Sequence, residues 1–405
     1  MMDPAIRREV LARGKPEPKD VPWWGEVNFG GWYTEAEIEA AVKAIRDSMH
    51  WSVGFGPDPA TITEFEEAFA EYCGAKHAVA LTNCGAGLDL AMICLDLQPG
   101  DEVICPAVNY KASQMAVLAR GGKVVFCEID PRTLNVDPAD VERRMTARTR
   151  AICPVHQTGL AAPIPELLEI AERHPHSVHG PSKIIGDAAR SCGARVPGSR
   201  VGGMEWVTAF SFHSQKLMTT LGEGGAVTTN DSAVAARIRD LCHYGGEHGW
   251  GMNFRMSKVQ AAVGLVQLRR LDEMNAMRRR AAHRRHALLA EAPDILLPYE
   301  PPGYEHLYYV YPILVKSEWG GTVRDRILAV LQDRYGIVCS VTNRPTYLRW
   351  PYIARNCGIP SLPVSEDVGR RLICPPLHPL LTEEQELYIS AALLETIATV
   401  AEDGG

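Results

Sequence analysis

Apolar positions along the chain occur in short continuous runs, separated by longer stretches in which they recur at helical spacing. The runs have the length and composition of buried strands. They are Ala78–Leu81, Val103–Cys105, Lys123–Phe126, Ala151–Val155, Ile184–Gly186, Trp206–Phe210 and Gly225–Thr228. Short strands that alternate with helices predict an α/β fold, in which helices cover a largely parallel sheet.

The two ends of the chain depart from this alternation. Residues 1–33 are rich in Pro, Gly and Trp, and we expect them to form an irregular N-terminal arm. Thr34 and Glu37 have the spacing of a capping box, which predicts that a helix begins there. Further on, a long basic helix is followed by mixed segments. These shifts predict a large domain over 34–271 and a smaller α+β domain over 272–405.

Composition narrows the class of protein. The 405 residues are 46% hydrophobic and 22% charged, an ordinary globular balance. The net charge of −7 argues against nucleic acid as the main partner. Eleven cysteines without a C-x-x-C pair do not indicate a disulfide framework or a metal site. No segment approaches the roughly 18 apolar residues of a membrane span, so we expect a soluble, cytoplasmic protein without a membrane partner.

One segment carries the chemistry. Ser211–Lys216 reads Ser-Phe-His-Ser-Gln-Lys and is followed by the glycine-rich Gly222–Gly225. A lysine amine can form a Schiff base with a phosphorylated aldehyde, and a nearby hydroxyl can bind the phosphate. An apolar run ends at Asp187, and an acid at a strand end suits a protonated pyridine nitrogen. Ligands of parallel sheets bind at such ends, so these residues together predict pyridoxal 5′-phosphate (PLP).

Five motifs occur in the order found in one family. They are Asn83-Cys-Gly-Ala, Pro106–Tyr110, Asp187–Arg190, Ser211–Gly225 and Asn253–Ser257. From about residue 35 to about residue 385 the chain resembles the DegT–DnrJ–StrS sugar and cyclitol aminotransferases, within the fold-type-I PLP enzymes. The resemblance implies a three-layer α/β/α large domain with a mixed, mostly parallel seven-stranded sheet.

The resemblance also implies a role for each matching residue. Lys216 would carry the Schiff base and move the proton between substrate and cofactor. Asp187 would pair with the pyridinium nitrogen, and Tyr110 would stack on the ring. A helix N-terminus favours a dianion. The expected phosphate ligands are Ser211 and the backbone amides of Cys84, Gly85 and Ala86.

The chain departs from the family at two positions. Cys84-Gly85 replaces the usual Gly-Thr pair, so Gly85 should contribute only its amide. Arg190 stands where relatives usually have glutamine or histidine near the phenolic oxygen of the cofactor. An arginine there could stabilise the phenolate, point towards an anionic group of the substrate, or pair with a local acid. The sequence leaves these alternatives open.

Further residues are expected to contact substrate or cofactor. Asn253 and Arg255 match a segment that in the family crosses a dimer interface near the phosphate, which implies a homodimer with shared active sites. Arg255, Arg190 and His213 are candidate substrate contacts, although no direct catalytic role is expected for His213. Other substrate-facing residues are expected within Trp23–Phe55 and Tyr304–Trp350.

These observations predict an aminotransferase. The amino donor would be L-glutamate or L-glutamine, and the acceptor the ketone of a sugar, a sugar nucleotide or a cyclitol in specialised-metabolite or surface-polysaccharide biosynthesis. A lysine-bearing PLP-dependent dehydratase or aminohydroxybenzoate-type synthase is the alternative. A non-catalytic regulator on the same fold ranks last, because Lys216, Asp187 and Ser211 are all present.

Overall fold

The computed structural model describes residues 2–16, 32–54, 59–247, 249–290, 292–342 and 344–402. Within these residues the strands are β1 His77–Leu81, β2 Glu102–Pro106, β3 Lys123–Cys127, β4 Thr149–Ile152, β5 Lys183–Asp187, β6 Arg195–Val196, β7 Ser199–Arg200, β8 Val207–Ser211, β9 Gly225–Thr229, β10 Ile295–Leu296, β11 Ile313–Val315 and β12 Leu372–Ile373. These strands form three sheets, of seven, three and two strands.

The α-helices of the described residues are α1 Pro4–Ala12, α2 Glu35–Ser48, α3 Pro59–Cys73, α4 Cys84–Cys94, α5 Ala112–Leu118, α6 Pro138–Arg144, α7 Ile164–Arg173, α8 Ser232–Cys242, α9 Lys258–Leu289, α10 Thr322–Tyr335, α11 Thr346–Arg349, α12 Pro351–Cys357, α13 Pro363–Arg371 and α14 Glu383–Glu402. The predicted start of α2 is confirmed, since the N–H of Thr34 donates to Glu37 at 2.7 Å. None of the described helices is long and apolar enough to cross a membrane.

The main sheet has seven strands in the order β1-β9-β8-β5-β4-β2-β3. Strand β9 runs antiparallel to both of its neighbours, and the remaining pairs are parallel. Each of the seven predicted apolar runs overlaps one strand of this sheet, although Ala151–Val155 extends past the end of β4 at Ile152. The mixed, mostly parallel arrangement is confirmed. Such strands are buried on both faces, and this is why their sequences are continuously apolar.

Side chains of β8 show the three layers. Phe210 packs with Phe65 and Phe69 of α3 in one core. Its neighbour Ala209 packs with Leu88 of α4 in a second core. Successive side chains of a strand point to opposite faces, so helices cover both faces of the sheet, as predicted.

Helix α9 runs unbroken across the predicted domain boundary at 271–272. Leu265 and Leu268 near its start belong to the core of the main sheet. Ala282 and Leu289 near its end belong to a separate C-terminal core. The helix therefore joins two hydrophobic cores, and the division between two domains stays a prediction.

The expectation of an irregular N-terminal arm is wrong for residues 4–12, which form α1. Asp3 caps this helix by accepting from the N–H of Ala5 at 2.6 Å, and Pro4 occupies a first-turn position that needs no N–H donor. Val10 is buried in the C-terminal core, and Arg7 pairs with Glu395 at 2.8 Å. Tertiary packing stabilises a helix whose sequence alone gave a weak signal. Residues 17–31 of the predicted arm lie outside the described residues.

Candidate active site

The carboxyl ends of the parallel strands open onto a cavity of ≈ 750 Å³. Because β9 runs in the opposite direction, its first residue lies at the same edge, where Gly225 pairs with both Leu81 and Ser211. The sequence-predicted residues that line the cavity are Cys84, Gly85, Tyr110, Asp187, Arg190, Ser211, His213 and Lys216. Residues far apart along the chain are thus brought together at one edge of the sheet.

Lys216 lies in the loop between β8 and β9, which spans residues 212–224. The N–H of Phe212 donates to the carbonyl of Gly224 at 2.8 Å, and that of Lys216 donates to His213 at 2.9 Å. Gly224 has a φ of +155°, which favours glycine. A Cβ on Gly225 would lie 2.5 Å from the carbonyl carbon of Asn83. The glycines of Gly222–Gly225 therefore allow the backbone to pass close beside the start of α4.

Asp187 ends β5 and is only 4% exposed. Its Oδ1 accepts from the N–H of Ala189 at 3.1 Å. Burial raises the pKa of this carboxyl group, whereas the Ala189 hydrogen bond and the positive charges of Arg190 and Lys216 oppose the increase. Any additional cation that enters the cavity would therefore stabilise the ionised form of Asp187.

The N-terminus of α4 forms another part of the cavity wall. Cys84 and Gly85 line the cavity, whereas the N–H of Ala86 donates to the Asn83 side chain at 2.8 Å. This capping bond competes with the predicted phosphate role of Ala86. The Cys84 sulfur lies 3.9 Å from Asp187 Oδ1, and burial, with the neighbouring Asp187, raises the pKa of the thiol far above its usual value. Cys84 is consequently a neutral group in the site.

Aromatic and cationic side chains meet around Tyr110 and Arg349, which both line the cavity. Tyr110 is 54% exposed, and its ring lies edge-on to Trp350 at 5.6 Å between centroids. The Nζ of Lys111 and the guanidinium of Arg349 lie 5.8 and 4.6 Å from the centre of the Trp350 ring. A planar or anionic part of a ligand would therefore find suitable contacts here.

Two histidines near the site are held by backbone groups. His213 Nδ1 accepts from the N–H of Gln215 at 3.2 Å, so this ring folds back on its own loop. His156 is fully buried, accepts from the N–H of Ala162 at 3.0 Å and lies 3.1 Å from Glu205. These contacts give both rings a local structural role.

Asn253 and Arg255 lie apart from the other predicted site residues. The Arg255 guanidinium donates to Asn253 Oδ1 at 3.0 Å. Their segment runs beside the end of β1, where the N–H of Thr82 donates to the carbonyl of Phe254 at 2.8 Å. Among the described residues, the lining of the cavity includes neither of them. A role for this pair in an active site therefore requires a second chain.

The structure adds a part of the site for which the sequence supplied only a broad stretch. We call residues 338–342 and Arg349, all of which line the cavity, the C-terminal wall. They fall within Tyr304–Trp350, the stretch expected to face substrate, but no motif marks them individually. Tyr309, which contacts the Lys216 amine, was missed because it lies in an apolar run typical of a strand. Of the other expected stretch, Trp23–Phe55, residues 23–31 and 55 lie outside the described residues. Its described part, residues 32–54, does not line the cavity.

A mostly parallel seven-stranded sheet between helical layers, with a lysine and an aspartate beside its carboxyl edge, is the arrangement of the fold-type-I enzymes. The chain belongs to the DegT/DnrJ/EryC1/StrS aminotransferase family, whose model matches residues 33–394.

Named relatives support this assignment. The chain is 37% identical over 340 residues to GDP-perosamine synthase of Caulobacter vibrioides, covering 82% of this chain and 89% of that protein. It is 34% identical over 365 residues to dTDP-3-amino-3,4,6-trideoxy-alpha-D-glucose transaminase of Streptomyces venezuelae, covering 89% and 92%. Both proteins are named for reactions on nucleotide sugars.

Solved structures agree with the sequence relatives. S. venezuelae DesV in complex with a ketimine intermediate matches with a TM-score of 0.80 and 34% identity, over 89% of this chain and 94% of that one. The aminotransferase TlmJ from Streptoalloteichus hindustanus matches with a TM-score of 0.83 and 28% identity, over 92% and 99%.

Proposed function

We propose that this protein is a PLP-dependent aminotransferase that moves an amino group from L-glutamate or L-glutamine to the ketone of a nucleotide-linked sugar. One observation carries the proposal. Lys216, Asp187 and Ser211, which come from different segments, line one cavity together with the N-terminus of α4. An amine, a buried carboxylate and an anion-binding helix end are the groups that a phosphorylated pyridine aldehyde requires.

The residues present fit PLP at its ring nitrogen and at its phosphate. Asp187 is buried, and the pKa of its carboxyl group is raised by burial, so a pyridinium proton would stabilise its charge. Gly85 lines the cavity, and an added Cβ would come within 3.2 Å of Asn83 Oδ1, so glycine avoids a tight contact here. Its amide and that of Cys84, with the Ser211 hydroxyl, would hold the phosphate.

PLP, when bound, supplies an electron sink for the negative charge left when a proton leaves the amine-bearing carbon. Lys216 would take that proton and return it, which requires the neutral amine. Asp187 would keep a proton on the ring nitrogen. Tyr110, braced edge-on by Trp350, would hold an aromatic partner in a fixed plane.

The acceptor is inferred from the relatives and from the cavity opening. The relatives GDP-perosamine synthase and dTDP-3-amino-3,4,6-trideoxy-alpha-D-glucose transaminase carry nucleotide sugars in their names. Arg349 lines the cavity, and Lys111 and Trp350 lie beside it; these cations and this aromatic ring suit a nucleoside diphosphate better than an uncharged cyclitol. Asn253 and Arg255 would complete the site of a partner subunit in a homodimer.

The test is the visible absorption spectrum of the protein with PLP, recorded before and after addition of L-glutamate or L-glutamine. We expect a yellow band that the true donor bleaches, and that is absent from Lys216→Ala. Lys183→Ala, which removes an exposed lysine at the start of β5, is the matched control and should retain the band. Absence of the band from the wild-type protein would contradict the proposal.

Measurement of the 2-oxo acid released from the amino donor distinguishes amination from dehydration on this scaffold. An aminotransferase releases one 2-oxo acid for each amino group that it transfers. A band that persists with both donors, or turnover of the sugar without a 2-oxo acid, would favour the dehydratase alternative.

A further inference from the structure

Tyr309 contacts the proposed catalytic lysine from outside all the sequence motifs. Its hydroxyl accepts a hydrogen bond from Lys216 Nζ at 3.3 Å, and the same amine lies 5.1 Å from the centre of its ring. The guanidinium of Arg190 lies 5.5 Å from that ring. Tyr309 is only 4% exposed, so its position is set by the protein around it.

The backbone around Tyr309 is strained. Tyr308 and Thr158 have φ angles of +51° and +57°, a region that residues with side chains rarely adopt. The two strained segments touch, because the N–H of Leu307 donates to the carbonyl of Gly159 at 2.8 Å. A Cβ on Gly159 would lie 2.7 Å from the Tyr309 nitrogen. Strain of this kind persists only where surrounding contacts hold it, and it clusters at functional sites.

His306 supplies those contacts. Burial lowers the pKa of its imidazole to about 3, so the ring is neutral. Its Nδ1 accepts from the N–H of Tyr308 at 2.8 Å, which leaves Nε2 to donate to Thr158 Oγ1 at 3.4 Å. The rings of His306 and Tyr308 also stack, with centroids 4.0 Å apart. One histidine therefore links both strained segments and fixes the turn that presents Tyr309.

We propose that Tyr309 is a positioning residue for Lys216, whose free amine it holds in place. This rests on the proposed role of Lys216. A phenol hydroxyl can accept from an ammonium group and donate to a neutral amine, so the contact persists in both protonation states. A free lysine has several rotatable bonds. Anchoring its amine restricts it to orientations suited to capture of PLP and to proton transfer once the lysine is released from the cofactor.

The test compares Tyr309→Phe, which removes the hydroxyl and keeps the ring, with Tyr311→Phe. Tyr311 is a buried tyrosine on the same segment whose hydroxyl lies 3.4 Å from His286 Nδ1. The first readout is the rate at which the PLP-free protein acquires the visible band in stopped-flow absorbance. We expect this rate to fall on the order of tenfold in Tyr309→Phe and to be unchanged in Tyr311→Phe.

The second readout is the kinetic isotope effect with an amino donor deuterated at the α-carbon. It should rise in Tyr309→Phe, because proton transfer by a poorly held amine limits the rate more strongly, and it should not change in the control. Wild-type rates of PLP capture and an unchanged isotope effect in Tyr309→Phe would overturn the inference and leave the function of Lys216 standing. A wild-type protein that never acquires the band would overturn the proposed function and, with it, this inference.

Discussion

The edge of the main sheet and the C-terminal wall face the same cavity but are built differently. At the edge, Asp187 and Ser211 are the last residues of β5 and β8. The hydrogen bonds between strands therefore fix the backbone positions of both residues. In the C-terminal wall, Ser340 is held by a single bridge, with hydrogen bonds of 2.9 and 2.8 Å to and from Cys374. The edge is suited to hold reacting groups rigidly. The C-terminal wall consists of connecting segments, whose sequence can vary among related proteins that bind different substrates.

The largest effect is expected from removal of the reacting amine at the edge of the sheet. Lys216→Ala should lower kcat on the order of 10⁴-fold or more, because other residues of the site cannot replace a nucleophile and proton carrier. Steady-state turnover with donor and sugar acceptor measures this. Lys183→Ala should keep wild-type turnover, and substantial activity in Lys216→Ala would assign the chemistry elsewhere.

Removing the charge at the edge should have the next largest effect. Asp187→Asn keeps the shape of the side chain but cannot hold a pyridinium proton as a carboxylate does. We expect kcat to fall by about 10²–10³-fold, measured with the same assay. Asp96→Asn, an exposed site with φ of +53° that asparagine tolerates, is the control. Equal activities of the two variants would contradict the assigned role.

The rigidity of the edge can be tested through stability. In Gly225→Ala the new Cβ would lie 2.5 Å from the backbone of Asn83, so the sheet edge and α4 must separate. The free energy of unfolding in denaturant should fall by about 1–3 kcal/mol. Gly249→Ala, where an added Cβ would come no closer than 3.4 Å, should change it little. A Gly225→Ala protein of wild-type stability would show that the sheet edge accommodates the added Cβ and is not rigid.

The smallest effect is expected at the C-terminal wall. Arg349 lines the cavity and lies over the Trp350 ring, so Arg349→Ala should raise KM for the nucleotide sugar about tenfold through loss of a charged hydrogen bond. Bleaching of the PLP band by the amino donor should be unchanged. Arg355→Ala, an exposed arginine on α12, is the control. An equal loss in the donor half-reaction would remove the distinction between edge and wall.

The difference between the strand-built edge and the C-terminal wall also explains which parts of the site could be predicted from the sequence. Strands buried on both faces leave continuous apolar runs, so all seven strands of the main sheet and the residues at their ends were predictable. The Lys216–Tyr309 contact joins residues 93 positions apart, and its tyrosine lies among apolar neighbours that also suit a strand. The helix α1 was missed because only Val10 of its residues is buried, so the apolar pattern is weak. The assigned roles of the site residues stay predictions.

The central claim is that Lys216, at the edge of the sheet, is the residue that binds PLP covalently. Reduction of the PLP-treated protein with borohydride, followed by proteolysis and mass spectrometry, tests it directly, because reduction makes a Schiff base permanent. We expect a phosphopyridoxyl group on the peptide that contains Lys216 and on no other lysine peptide. A modified peptide from elsewhere in the chain, with Lys216 unmodified, would contradict it.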